Sequence, residues 1–145
     1  MNYITNSYEE TLEVGKKFSR MLSRGEIVTL DGDLGAGKTA FTSGVVAGLG
    51  GTEIVTSPTF TIVNEYRKTT IPVFHFDIYR LESMDDLYDI GWTDYVMQKG
   101  IIIMEWADIV KSELDYPYYE VIIKKRFDIG EDAREIIIDY RSEKE

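Results

Sequence analysis

The eight residues Gly32-Asp33-Leu34-Gly35-Ala36-Gly37-Lys38-Thr39 constrain this chain more than any other stretch. They fit the pattern G-x-x-x-x-G-K-[ST] and lie between a short apolar run and a helix-compatible segment, the context in which that pattern forms a phosphate-binding loop. Glycines let the backbone curl so that successive N–H groups converge on phosphate oxygens, and the N-terminus of the following helix adds partial positive charge. Lys38 contributes a full charge directed at the β- and γ-phosphates, and the Thr39 hydroxyl is a Mg²⁺ ligand in such loops. Strand, tight loop and helix in this order belong to an α/β sheet whose ligand sits beyond the carboxyl ends of the strands.

The neighbouring segments agree with that architecture. Ser7 and Glu10 form a capping-box pair, and Tyr8, Leu12, Gly15, Phe18 and Leu22 recur at helical spacing, which predicts an amphipathic first helix ended by Gly25. Glu26 to Leu30 reads as a buried strand entering the glycine loop, and Thr39 to Leu49 as the helix leaving it. Phe60 to Tyr66 and Val73 to Asp77 predict two strands joined by a turn at Thr69-Thr70, followed by short helices over 83–88 and 93–98. Ile101-Ile102-Ile103-Met104-Glu105 is too short for a helix and apolar enough for a strand covered on both faces. Tyr119 to Lys125 and Arg134 to Tyr140 predict an antiparallel hairpin at the sheet edge. The expected fold is therefore α/β, similar to P-loop nucleotide hydrolases, with a mostly parallel sheet flanked by helices and a C-terminal antiparallel hairpin. No repeat or linker divides the 145 residues, so one domain over 1–145 is expected. At that size folding buries roughly 70% of the surface of the unfolded chain.

A nucleotide site also needs a carboxylate beside its cation. Two predicted strands end in acids, Asp77 and Glu105, and either could hold Mg²⁺ directly or through water. The alternative for each is a solvated strand-end acid, which their apolar lead-ins disfavour. His75, the one histidine, shares a strand face with Asp77 two residues on and reads as a hydrogen-bonded structural residue. ATP is favoured over GTP, because neither an N/T-K-x-D base-reading motif nor a D-x-x-G switch occurs.

Beyond these single features, the ordered set Gly32 to Thr39, Ser57-Pro58-Thr59-Phe60-Thr61-Ile62-Val63-Asn64-Glu65-Tyr66, His75-Phe76-Asp77-Ile78-Tyr79-Arg80-Leu81 and Glu105-Trp106 resembles the bacterial TsaE family across essentially the whole chain. That resemblance implies a P-loop ATPase that works with the TsaB and TsaD proteins to install threonylcarbamoyl on the adenosine beside the anticodon of tRNAs reading ANN codons. It further implies that Gly35, Ala36, Gly37, Lys38, Thr39 and Ala40 bind the nucleotide, that Thr39 and Glu105 ligate Mg²⁺, and that Lys38, Asp77 and Glu105 serve hydrolysis. Ser57 to Tyr66 corresponds to a switch-like segment in which Thr59 and Thr61 approach the γ-phosphate. Trp106, with Thr11 and Arg134 on the adenosine side, completes the implied nucleotide contacts. The chain departs from the family pattern at Asp89, where a glutamate is expected before the glycine.

Charge limits the partners. With 16 Lys plus Arg against 26 Asp plus Glu, the formal net charge is −10, which opposes direct binding of tRNA phosphates or anionic membranes. Contact with tRNA is expected only through partner proteins. The absence of cysteine excludes disulfides and thiolate metal sites, and the lack of a signal peptide or long apolar run makes cytoplasmic residence, without membrane contact, the expectation. No residue stands out as a hydrolytic base, so slow hydrolysis that partners accelerate is expected. Two other classes use the same loop, a small-molecule kinase and a nucleotide-dependent conformational switch. The kinase is disfavoured by the want of an arginine-rich lid insertion.

Overall fold

In the computed structural model, which describes residues 1–33, 35–114 and 117–142, the chain runs β1 (Asn2–Thr5), α1 (Tyr8–Ser19), β2 (Ile27–Gly32), α2 (Lys38–Gly48), β3 (Val63–Tyr66), β4 (Val73–Asp77), α3 (Met84–Asp89), α4 (Trp92–Met97), β5 (Ile101–Glu105), α5 (Asp108–Lys111), β6 (Tyr118–Lys125) and β7 (Arg134–Arg141). The described residues form one seven-stranded sheet in the order β1-β7-β6-β2-β5-β4-β3. Its centre, β6-β2-β5-β4, is parallel, while β3, β7 and β1 are joined antiparallel at the two sides. Five strands of the seven thus point one way, with β3 and β7 reversed, so the sheet is mixed and mostly parallel. The β6–β7 hairpin is the one the β-rich C-terminal segments predict.

Strand alternation decides which side of the sheet carries chemistry. Successive side chains point to opposite faces. Val73, Ile101 and Ile103 pack into an apolar cluster with Phe18 of α1 and Phe41 and Val45 of α2. Phe74, Phe76, Ile102 and Met104 pack into a second cluster with Leu87 of α3, Trp92 of α4 and Val110 of α5. His75, Asp77 and Glu105 fall in step with the first set, so they face the side covered by α1 and α2. Register puts Asp77 directly beside Glu105 at the ends of β4 and β5.

Close packing of α1 on α2 brings the first helix over the phosphate loop. Gly15 and Gly44 meet at the crossing, where a side chain on either would collide with the carbonyl oxygens of Phe41 and Leu12. Ser7 caps α1 by accepting the Glu10 N–H at 3.1 Å. The buried face of this helix runs through Thr11, Val14, Gly15 and Phe18, leaving Tyr8 exposed.

Three local expectations are corrected. The first helix stops at Ser19 and passes into single turns, and Gly25, at φ 85°, makes the bend into β2 instead of closing the helix. Residues 60–62 are not strand. Ile62 takes a left-handed φ of 69° and its N–H bonds to the Pro58 carbonyl, so β3 begins only at Val63. β1 and α5, absent from the sequence reading, are present, and β1 pairs outside β7, so the hairpin is not itself the edge. Asp89 is exposed at the end of α3. No helix among the described residues is long and apolar enough to cross a membrane.

Candidate functional site

The glycine loop leaves β2 and turns directly into α2, whose first residue is Lys38. Gly35 and Gly37 have φ values of 77° and 108°, a region that side-chain-bearing residues rarely adopt, which explains glycine at both positions. Leu34, the loop's third residue, lies outside the described residues. Gly37 is the N-cap of α2 and offers no side-chain cap, so the first-turn N–H groups of that helix face the loop.

Arg134 braces this loop from β7. Its Nε donates to the Ala36 carbonyl at 3.1 Å and Nη2 to the Gly35 carbonyl at 3.3 Å, while Nη1 holds the carbonyls of Glu131 and Ala133 at 3.0 and 2.9 Å. In a trans peptide the C=O and the next N–H point in opposite directions. Fixing the Ala36 carbonyl toward the hairpin therefore aims the Gly37 N–H away from it. Thr11 is 2% exposed, with its hydroxyl 2.8 Å from that of Thr5, and it lines a small cleft of about 150 Å³ together with Arg134, Gly35, Gly37 and Ala40. The structure thus gathers the two residues implied for the adenosine side next to the phosphate loop. Thr11 is therefore a buried position of the first helix, not a solvent-facing one.

A larger cleft of about 540 Å³ adjoins this one and shares Tyr8, Gly35, Gly37 and Ala40 with it. Gly35, Gly37, Lys38, Thr39, Ala40, Asp77, Glu105 and Trp106, all expected in the site, line it. Ala36 does not. It is buried, and its carbonyl goes to Arg134. Tyr8, Ser57, Thr59 and Tyr79 also line the cleft. Tyr8 and Tyr79 were not singled out from the sequence, although Tyr79 belongs to the His75-to-Leu81 stretch and that neighbourhood was its only signal.

Charge is concentrated at the cleft floor. Lys38 Nζ lies 3.4 Å from Glu105 Oε1, and His75 Nε2 lies 2.5 Å from Glu105 Oε2. Burial pushes the Glu105 carboxyl up, but the hydrogen bond and charge of His75, together with the Lys38 ammonium, outweigh it and hold the group below the ordinary carboxylate range. Asp77 accepts the Tyr79 N–H at 3.1 Å and the Thr59 hydroxyl at 3.4 Å. The Thr59 hydroxyl is also 2.9 Å from that of Ser57, whereas Thr61 turns away and donates to Asn64 at 2.7 Å. Trp106, at φ 59°, has its ring 4.7 Å beneath Lys38 Nζ and 4.9 Å from the Tyr79 ring.

Among the described residues no cluster of three or more His, Asp or Glu side chains forms a cage for a metal ion. The oxygens of Thr39 and Glu105 are hard donors at the mouth of a phosphate loop. Such a set suits Mg²⁺, which uses one or two protein oxygens and takes its remaining ligands from substrate phosphates and water.

Comparison with known proteins gives a consistent result. A family model described as "Threonylcarbamoyl adenosine biosynthesis protein TsaE" matches residues 5–136. The chain is 40% identical over 136 residues to the tRNA threonylcarbamoyladenosine biosynthesis protein TsaE of Bacillus subtilis, covering 94% of this chain and 83% of that protein. It is 39% identical over 138 residues to the TsaE protein of Treponema pallidum, covering 95% and 99%. The crystal structure of Bacillus subtilis YdiB superposes with a TM-score of 0.79 at 34% identity, over 99% of this chain and 86% of that one.

Proposed function

The chain belongs to the TsaE family, required for the threonylcarbamoyladenosine modification of tRNA, and we propose that it serves that pathway as a Mg²⁺-dependent ATPase acting through TsaB and TsaD. The observation that carries this reading is the meeting of Lys38 and Glu105, 3.4 Å apart, where the phosphate loop opens into a cleft of a size suited to a nucleotide. A lysine and a carboxylate at that distance stand ready to exchange partners, the ammonium for phosphate oxygens and the carboxylate for a cation.

In this mechanism the loop amides and Lys38 bind the phosphates and offset charge on the γ-phosphoryl oxygens. Thr39 and Glu105 would hold Mg²⁺, which when bound would supply positive charge to offset that developing on the phosphate oxygens. Trp106 and Tyr79 wall the cleft and keep Lys38 partly desolvated, since its side chain is only 10% exposed. Asp77 links the floor to Thr59 of the switch-like segment and is the acid available to orient the attacking water. The link is a single 3.4 Å hydrogen bond, a weak hold on an exposed residue. Turnover is therefore slow for the isolated chain and rises when a partner orders that segment. With a net charge of −10, the chain reaches tRNA through the partner proteins.

The test is multiple-turnover phosphate release and tRNA modification in a mixture of TsaB, TsaD, tRNA, ATP, Mg²⁺ and a carbamoyl donor. The wild type raises both above the mixture lacking it, and Lys38→Ala raises neither. Full modification with Lys38→Ala would overturn the ATPase reading in favour of a passive scaffold.

A further inference from the structure

We infer that His75 is a positioning residue for Glu105, dividing the two carboxylate oxygens so that Oε1 alone is presented to the phosphate loop. The inference rests on Glu105 being the cation-holding carboxylate of the site described above.

His75 is the chain's single histidine and is fully buried in β4. Its register partner on β5 is Ile103, so Glu105 sits two residues further along the neighbouring strand and its side chain folds back to bring Oε2 within 2.5 Å of the ring. A carboxylate only accepts hydrogen bonds, which makes Nε2 the donor. Glutamate's terminal torsion is broad and nearly two-fold, so an unheld carboxylate at the end of a strand would sample many orientations. The ring removes that freedom. Oε2 is taken by His75, and Oε1 is left 3.4 Å from Lys38.

The other ring nitrogen strengthens the argument. His75 Nδ1 is buried and has no hydrogen-bond partner among the described residues. Leaving a buried polar atom unpaired is destabilising, and a leucine or phenylalanine would fill this interior without that penalty. What histidine adds here, and an apolar residue cannot, is the N–H held against Glu105. Hydrogen bonds of this kind behind a cation ligand govern affinity for the cation.

The experiment compares ADP binding in EDTA with binding in Mg²⁺ for the wild type, His75→Leu, His75→Gln and Glu105→Gln. In His75→Leu the EDTA affinity stays near the wild-type value while the tightening produced by Mg²⁺ falls about tenfold. His75→Gln, which carries an amide N–H at a similar reach, recovers most of it. Undiminished Mg²⁺ tightening in His75→Leu overturns the inference. If Glu105→Gln also leaves the tightening intact, the assignment of Glu105 fails with it; if Glu105→Gln abolishes it and His75→Leu does not, only the role of His75 falls. A second measurement does not depend on the variants folding. Because the chain has one histidine, its ring ¹⁵N resonances are unambiguous, and adding Mg²⁺ to the ADP-saturated wild type shifts Nε2. An Nε2 resonance indifferent to Mg²⁺ overturns the inference by itself.

Discussion

The floor of the large cleft and the wall formed by residues 57–62 are built in opposite ways. His75, Asp77 and Glu105 on the floor are 0%, 7% and 3% exposed, carried by parallel strands in register with apolar clusters on both faces. Across from them Phe60 is 83% exposed, Ile62 is held at a left-handed φ of 69°, and Thr59 reaches Asp77 through one long hydrogen bond. The floor is preorganised, whereas the wall is fixed mainly through its backbone, with Ile62 bonded to Pro58 and Asp77 at 2.8 Å, and leaves Ser57, Thr59, Phe60 and Thr61 exposed. That division suits the ATPase proposed above, in which binding would use the rigid part and water placement the other.

The two regions should differ most when one phenylalanine is removed from each. Phe76 is fully buried behind the floor, and Phe76→Ala is expected to cost about 3–5 kcal/mol in urea unfolding. Phe60→Ala should stay within about 0.5 kcal/mol of wild type, as exposed substitutions do. Comparable losses at both positions would mean the wall is as firmly packed as the floor.

Next in size is the phosphate loop itself. With ADP and Mg²⁺ at 100 times the dissociation constant, ligand should stabilise the wild type by about 2.7 kcal/mol. Lys38→Ala should lose most of that in a thermal shift assay while its ligand-free melting temperature barely changes. Retention of the full shift would remove the loop from the site.

Backbone strain gives a smaller test of the wall. A left-handed conformation costs a β-branched residue about 1–2 kcal/mol, a penalty glycine avoids. Ile62→Gly should therefore leave stability within about 1 kcal/mol of wild type despite loss of a half-buried side chain. A loss well beyond that would show that the turn is not strained.

The smallest effect concerns charges behind the floor, where Lys111 bonds Asp31 and Glu120 at 2.8 and 3.3 Å and Arg141 bonds Glu120 at 3.0 Å. Burial raises the Glu120 carboxyl, yet the hydrogen bonds and charges of Arg141 and Lys111 bring it below its ordinary value. Burial lowers the Lys111 ammonium, yet Asp31 and Glu120 raise it above its ordinary value. A carboxylate lowered on folding contributes stability that is complete above its unfolded pKa, about 4.3, and is lost as pH falls through the folded value. An ammonium raised on folding contributes stability that is complete below its unfolded pKa, about 10.4, and is lost as pH rises through the folded value. Glu120→Gln should flatten part of the acid limb of the stability profile. An unaltered acid limb would mean that this network contributes nothing measurable.

The phosphate loop, both acid-ended strands and the hairpin were legible because each has a local signature: glycine spacing, an apolar run closed by an acid, paired β-rich segments. β1 was not, since Asn2 to Thr5 buries only Thr5 fully and owes its strand form to pairing with β7, 129 to 135 residues away. Residues 60–62 look like strand by composition. The reversal at Ile62 is imposed by its Pro58 and Asp77 backbone partners, which no window around it contains in full. His75 was readable as a hydrogen-bonded residue, but its partner depends on the register of β4 against β5. Thr11 was expected on grounds of family resemblance alone, and its burial follows from the glycine crossing of α1 and α2, a three-dimensional fact.

Arg134 grips carbonyls 98 and 99 residues earlier in the chain, and this bears on how the protein comes off the ribosome. Residues 32–39 emerge early during synthesis, yet β6, the parallel neighbour of β2, and the guanidinium that pins the loop emerge only after another eighty or more residues. Contacts so distant in sequence form late, after the intervening chain has been made and collapsed. A nascent or prematurely terminated chain reaching only residue 114 would carry every residue of the phosphate-loop motif and still lack its brace. In such a chain the carbonyls of Gly35 and Ala36 would lack the guanidinium that holds them, so the loop takes its final shape only once the β6–β7 hairpin has been made.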